Sequence, residues 1–278
     1  MKNNFSILLL LLISFSALSQ QKEKIKGSKI VTVEQKEIAE FSSLEINDNL
    51  EIFLIRGDKC SLEIEADDNL HDAIDIYLNG STLRLSATKQ VTSSKKFSVR
   101  VTYTDDLKMI TSKNEANVTA LSEINVNDFT FKNHDAAKVF ANVNVKKFTL
   151  MSDDKSKTEL NLKSEETTIE LSKNSQLKAL ISTPLMKFDM YQKSNATIEG
   201  DVIDLKLRLD NNASFTGKSF TSRNAEITVE GYTDCSINVS VKVIIDATGK
   251  SEIQLYGDQK IEMKRFTDSA ILRKKSSK

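Results

Sequence analysis

From Leu107 to Leu272 apolar and polar residues alternate, and at regular intervals the alternation is broken by a polar turn residue followed by a small one. Ala137, Val139, Ala141, Val143 and Val145 form one such run, and Cys235, Ile237, Val239, Val241, Val243 and Ile245 another. Successive side chains of a strand point to opposite faces, so a period of two predicts strands with one buried face. With Ala116, Ala137, Ser156, Ser175, Ala196, Ala213, Cys235, Ser251 and Ser269 as the recurring small residue, the spacings are 21, 19, 19, 21, 17, 22, 16 and 18. A unit of roughly twenty residues repeated nine times is a solenoid period. The fold class expected is therefore all-β: a right-handed parallel β-helix, or β-solenoid, of about nine or more coils with an atypical N-terminal β region.

Each coil is expected to hold two or three strands of four to five residues, and nine coils stacked at about 4.8 Å make a rod on the order of 40 Å long. Corners are expected at Asp153-Asp154, Lys173-Asn174, Ser194-Asn195, Asn211-Asn212 and Thr248-Gly249-Lys250, where Asn, Asp and Gly serve as turn formers. Ala137, Ser175, Ala196 and Cys235 are expected to form one buried column, beside a second of Val139, Leu177, Ile198 and Ile237.

The stretch before the repeats reads differently. From Phe41 the runs Leu44–Ile46, Leu50–Leu54, Leu62–Ile64, Ile74–Leu78, Leu83–Leu85 and Phe97–Val101 predict five or six strands, with Asn79-Gly80 set for a tight hairpin. Residues 38–104 are either opening coils of the same solenoid or a small sheet closing its end. An uncovered stack exposes unpaired backbone groups and invites edge-to-edge association. Removing residues 20–104 is thus expected to leave an aggregating rod, while Lys264, Arg265, Arg273, Lys274 and Lys275 keep other chains from the far end.

The organisation expected is a signal peptide at 1–19, a loosely ordered lead-in at 20–37 with room for a short strand at its end, the N-terminal β region at 38–104, solenoid repeats at 105–272 and a frayed basic tail at 273–278. Lys2, the apolar run Ile7–Ile13 and the small Ala17 and Ser19 carry the leader assignment. They imply an exported protein, periplasmic, outer-surface or secreted, without a transmembrane segment. No Cys near the cleavage site offers a lipid anchor. A hydrophobic content of 39% without Trp suits a thin solenoid better than a thick globule. The 39 basic and 39 acidic residues leave no basic surface for nucleic acid. Of the two cysteines, Cys235 falls on the inward register and is expected as a buried unpaired thiol; a bridge to Cys60 would need the N-terminal segment folded back over a late coil.

The segment Phe41-Ser-Ser-Leu-Glu-Ile-Asn-Asp-Asn-Leu-Glu-Ile-Phe-Leu-Ile-Arg-Gly, followed by Leu62-Glu-Ile-Glu-Ala-Asp-Asp-Asn-Leu and Asn79-Gly-Ser-Thr-Leu-Arg-Leu, resembles the opening of the putative auto-transporter adhesin family with a head GIN domain, exported proteins of the Bacteroidetes type. The resemblance spans roughly residues 38–260 and implies a β-helical exported protein with an adhesin label. It implies no catalytic motif.

Candidate chemistry is sparse. His71 and His134 lie in different regions, with His134 in the turn Asn133-His134-Asp135, and there is no phosphate loop, zinc-type Cys spacing or nucleophile elbow. No catalytic or metal residue and no cofactor is assigned, and binding residues are not identifiable. Asp105-Asp106 and Asp153-Asp154 are the acidic pairs a polysaccharide-cleaving β-helix could use, but adjacent residues diverge and such acids must converge on one bond. Two outward columns, Asn117, Lys138, Lys157, Gln176, Thr197, Ser214, Ser236, Glu252, Ala270 and Thr119, Phe140, Glu159, Lys178, Glu199, Thr216, Asn238, Gln254, Leu272, hold no aromatic ladder. Tyr191, Tyr232 and Tyr256 lie near corners, as anchors of their own turns. Asp268-Ser269-Ala270 resembles a short O-glycosylation acceptor, though Ser269 is expected to face inward. The function expected is an adhesin-like or scaffolding one toward a cell-surface glycan or protein, with oligomers possible through the solenoid ends.

Overall fold

The computed structural model describes residues 22–276, so the leader lies outside the described residues. The first nine strands are β1 (Lys24–Lys26), β2 (Val31–Glu37), β3 (Ser43–Ile46), β4 (Glu51–Arg56), β5 (Ser61–Asp67), β6 (Ile74–Asn79), β7 (Thr82–Ala87), β8 (Gln90–Ser93) and β9 (Phe97–Tyr103). Then come β10 (Met109–Ser112), β11 (Asn117–Ala120), β12 (Ile124–Asn133), β13 (Lys138–Ser152), β14 (Lys157–Leu171), β15 (Gln176–Met190) and β16 (Asn195–Asp210). The chain closes with β17 (Ser214–Glu230), β18 (Asp234–Ala247), β19 (Glu252–Tyr256), β20 (Lys260–Phe266) and β21 (Ile271–Lys274).

From β10 onward every pairing is parallel and joins one coil to the next, which makes the molecule a β-solenoid of about nine turns. The coils are less subdivided than the sequence suggests. In β13 alternation runs to Val145, skips at the exposed pair Lys146-Lys147 and resumes at Phe148, all within one 15-residue strand. The same skip falls at Glu165-Glu166, Pro184-Leu185 and Ile203-Asp204. Two successive outward residues swing the inward face to a new direction, so each strand bends without leaving its ladder. Pro184 occupies a position that the pairing with β16 passes over, between Thr183 and Leu185, so its missing N–H costs nothing there.

The repeat is anchored by backbone conformation. Asn114, Asp135, Asp154, Lys173, Gln192, Asn211, Asn212, Gly231, Gly249 and Asp268 have φ between 54° and 76°. Asn, Asp and Gly adopt this left-handed conformation at least cost, which accounts for most of the column. These turns stack: the amides of Ala136, Lys155, Asn174 and Lys250 donate to the carbonyls of Asn114, Asp135, Asp154 and Gly231 at 2.6–2.8 Å.

Just after each left-handed residue sits the small inward one, and the series is Ala116, Ala137, Ser156, Ser175, Ser194, Ala213, Thr233, Ser251, Ala270. Its spacings are 21, 19, 19, 19, 19, 20, 18 and 19. Three positions expected from sequence are thereby corrected: Ala196 and Cys235 belong one inward step later, and Ser269 is exposed in its turn. Ala196 aligns with Leu177 and Phe215, and Phe215 with Cys235. Ile198 and Ile237 accordingly leave the column of Val139 and Leu177. For Ala196 and Cys235 a slip of two residues keeps the face, so they were placed inside correctly but in the wrong column; Ser269 slipped by one and lies outside, and Val241, in the run from Cys235, is 48% exposed. The corner at Ser194-Asn195 likewise moves to Gln192-Lys193, and Asn195 starts β16.

In the N-terminal region β3 and β4 stack in parallel on β10 and β11, and β7 and β9 stack in parallel on their other side. Beyond them the direction reverses: β6 is antiparallel to β7, β5 to β9 and β2 to β5. The β6–β7 hairpin turns through Gly80, with Asn79 opposite Thr82. The lead-in segment is thus strand rather than loose chain. Its β2 sets Thr32, Glu34 and Lys36 opposite buried Ala66, Ile64 and Leu62. The C-terminal tail is also partly strand, with Arg273 and Lys274 in β21.

The interior is a continuous file of aliphatic and aromatic side chains, including edge-to-face Phe131–Phe148 and Phe188–Phe215 contacts at 6.3 and 5.6 Å between ring centres. Cys60 and Cys235 are both buried and unpaired. No described helix is long and apolar enough to cross a membrane.

Candidate binding groove

The bends stack as regularly as the turns, and along them runs a groove of about 680 Å³. Its first outward column is Asn125, Asn144, Lys163, Ser182 and Asp201, aligned rung by rung from β12 to β16. The residues two further on, Asn127, Lys146, Glu165, Pro184 and Ile203, complete the lining. Five rungs at about 4.8 Å put its ends roughly 19 Å apart.

Beneath it the inward positions are Val126, Val145, Ser164, Thr183 and Val202. The hydroxyls of Ser164 and Thr183 are satisfied internally: Ser164 Oγ lies 2.6 Å from Thr167 Oγ1 and 3.1 Å from Thr183 Oγ1, and Thr183 Oγ1 donates to the Leu185 carbonyl at 3.2 Å. The lining side chains stay freer, with one bond of 3.2 Å from Ser182 Oγ to Asp201 Oδ2. One end is framed by Arg56, whose guanidinium reaches both oxygens of Asp105 at 2.6 Å. That pairing raises the Arg56 pKa further, so this end of the groove carries a solvent-exposed ion pair. The groove offers amide, hydroxyl, ammonium and carboxylate groups of both signs in two straight rows.

The candidates read from sequence are not gathered here. Asp105 belongs to the groove, but its carboxylate is held by Arg56, and Asp106 lies outside. Asp153 and Asp154 sit in the turn column, Asp153 3.0 Å from His134 Nδ1 and Asp154 2.8 Å from Lys173 Nζ. The Lys173 ammonium holds the Asp154 carboxyl below the usual range. His71 is at the N-terminal end, 2.8 Å from the Thr32 hydroxyl. Among the described residues no group of acids, His and Cys could hold a metal.

Tyr232 is 60% exposed, with Lys250 Nζ 5.1 Å from its ring centre, and Tyr256 lies under Lys218 at 5.5 Å. The half-exposed Phe140 and Leu180 flank a separate shallow depression. The outward columns are also re-registered: Asn195, Asp234 and Ile271 stand where Thr197, Ser236 and Ala270 were expected, and Thr197, Ser236 and Arg273 replace Glu199, Asn238 and Leu272. Sequence reasoning missed the groove, though the repeated skip in alternation marks it.

Residues 40–258 match the family described as putative auto-transporter adhesin, head GIN domain. No curated protein matches the sequence. Among solved structures, a putative adhesin from Parabacteroides distasonis ATCC 8503 is similar at 12% identity and TM-score 0.67, over 90% of this chain and 99% of that one. A putative adhesin from Parabacteroides merdae ATCC 43184 is similar at 17% identity and TM-score 0.61, over 91% and 100%. A structure from Parabacteroides distasonis ATCC 8503 described as a putative lipid binding protein follows at 14% identity and TM-score 0.58, over 92% and 97%. At these identities the likeness is one of fold.

Proposed function

The chain belongs to the putative auto-transporter adhesin family with a head GIN domain, and from that membership we propose that it is an exported, non-catalytic β-solenoid whose groove along the bends holds an extended cell-surface glycan. The observation that carries the proposal is the pair of outward columns in one groove across five coils, Asn125 to Asp201 polar throughout and the other polar from Asn127 to Glu165 before Pro184 and Ile203. Sugar hydroxyls both donate and accept, and the amides of Asn125, Asn127 and Asn144, the hydroxyl of Ser182 and the carboxylate of Asp201 answer both roles. Pro184 and Ile203 give an apolar rim for the C–H faces of a sugar ring. A peptide would seek a free strand edge, and along the groove β13 to β16 are paired on both sides; among the described residues only Ile124–Asp128 of β12, at one end, pairs on one side alone.

The carboxylates do not favour cleavage. Glu165 and Asp201 lie in different columns two rungs apart, about 10 Å along the axis, and Asp105 is held by Arg56.

The test is a glycan screen of the mature protein scored for both retention and product release, with Asn144→Ala, Lys163→Ala and Asp201→Ala beside the parent. Retention that falls about tenfold or more in these variants, without product, supports the reading. Product release from any polysaccharide would replace it with an enzyme, and retention indifferent to all three variants would move binding off the groove.

A further inference from the structure

The column of bends carries the same two charges twice on neighbouring coils. Lys146 and Lys147 stand together at the bend of β13, and Glu165 and Glu166 at that of β14. The outer pair closes, with Lys147 Nζ 3.6 Å from Glu166 Oε2. The inner pair lines the groove and stays open: among the described residues neither Lys146 nor Glu165 has an ion-pair or hydrogen-bond partner. Lys163, level with Asn144 in the first column, is without one as well. Exposed pairs contribute little to stability, so the fold loses little by leaving these charges open, and they are available to a ligand.

Of the other charges in the lining, Arg56 and Asp105 hold each other and Asp201 accepts from Ser182. Lys146 and Lys163 are thus the cations left to meet a ligand. They stand on neighbouring coils, about 4.8 Å apart along the axis, and each ends in an ammonium with three donors on a flexible four-carbon stem. Both can turn toward one anionic group, whose arrival relieves their mutual repulsion. Toward β15 and β16 the second column changes to Pro184 and Ile203, with Leu185 beside Pro184 49% exposed, and the charge on that side is the Asp201 carboxylate. Glu165 stands between the two halves and repels an anion that would move past it.

We infer that the groove, read as a glycan site as proposed above, takes an acidic glycan: one anionic group, a carboxylate or a sulfate, lies between Lys146 and Lys163, and a neutral sugar next to it lies over Pro184 and Ile203. The groove then has a direction, with the anion toward the Arg56 end and the neutral sugar toward Ile203. Asn125, Asn127 and Asn144 meet hydroxyls on the anion's other side. Glu165 fixes the position of the anion at a cost in affinity, because its carboxylate faces the same two ammonium groups from the neighbouring position.

Titration calorimetry of the mature protein should use three probes: an oligosaccharide of alternating uronic acid and neutral sugar, the same oligosaccharide with its carboxyls reduced to alcohols, and a neutral oligosaccharide sulfated on alternate sugars. The reduced form should bind about tenfold more weakly than the uronate, the sum of two exposed charge contacts, and this advantage of the acid should shrink as salt is raised. Lys146→Gln and Lys163→Gln should each weaken the acidic probe about threefold or more and narrow its lead over the reduced form. Glu165→Gln should act the other way and tighten the acidic probe about threefold. All three positions are exposed, and melting of each variant checks that it is folded. The sulfated probe tells the two sources of the anion apart, and either anion bound with this pattern supports the inference. Equal affinity for the uronate and its reduced form with no preference for the sulfate, or acidic binding indifferent to Lys146, Lys163 and Glu165, overturns it. In that event Asn144→Ala separates the two readings: binding that still falls in this variant leaves the groove a glycan site for neutral sugars, whereas binding that does not fall removes both.

Discussion

Lys113 Nζ lies 2.8 Å from Glu45 Oε1, joining the first repeat turn to β3. The other oxygen of the same carboxylate accepts from Arg84 of β7, Nη2 at 3.0 Å and Nε at 3.2 Å. Glu45 therefore ties three consecutive rungs where the N-terminal region meets the repeats. The Lys113 hydrogen bond holds its carboxyl below the usual range, against the opposing effect of partial burial, with Arg84 adding to the lowering. A depressed carboxylate stabilises the fold above its unfolded pKa of about 4.3 and loses that contribution as pH falls through the lower folded value. Glu45→Gln should cost about 0.5–1 kcal/mol at neutral pH, the scale of a partly exposed network. The deficit should vanish in acid; thermal melts of parent and variant that stay equally separated in acid would refute this.

Phe215 stacks between Ala196 and Cys235, one large side chain between two small ones. Ala196→Leu should overpack that stack and cost about 1–3 kcal/mol. Phe215→Ala alone should cost about 3–5 kcal/mol. The double variant should be more stable than the sum of the two costs predicts, by about 0.5 kcal/mol or more, as for other contacting pairs. Additive denaturant midpoints would mean the two side chains, on neighbouring rungs of one column, do not touch.

Gly200 has φ of 106°, and a Cβ there would collide with the Ile181 carbonyl oxygen. Gly200→Ala should destabilise by about 1–3 kcal/mol from backbone conformation alone, with the collision adding to it. A melting temperature equal to the parent's would show that the β15–β16 ladder yields at that point.

Burial pushes the Cys235 thiol up to about 12. Below that pH the group is the neutral, poorly nucleophilic thiol. A thiol reagent at about pH 8 should therefore label Cys235 only at the rate of global unfolding, and labelling within minutes in native buffer would contradict the packing.

The sequence announced the strands, the period, the parallel stacking and the inward face because all four are written in local alternation. Rung assignment was harder. Ala196 and Cys235 imitate the small inward turn residue because they make room for Phe215, a neighbour in space but not in sequence. The left-handed residues Asp154, Lys173 and Gln192 were the better ruler, since backbone conformation at a turn admits less substitution than volume in a file of side chains. The groove was invisible for a similar reason. Lys146-Lys147 and Pro184-Leu185 look like lapses in alternation until the strands are stacked and the lapses fall in line. Arg56 meets Asp105 only through the fold of the N-terminal region, and no spacing rule connects them.

The common bend in β13 to β16 has an architectural consequence. Every coil adds the same increment of wall, so groove length is counted in whole coils. Excising residues 173–191, one period from left-handed Lys173 to the residue before left-handed Gln192, would join Ser172 to Gln192 in phase and shorten the groove by one step of about 4.8 Å. Deleting about half a period instead would put the skip of one coil against the turn of the next. Reach is therefore a digital property of this chain, adjustable by gain or loss of a unit without redesign of any contact within it.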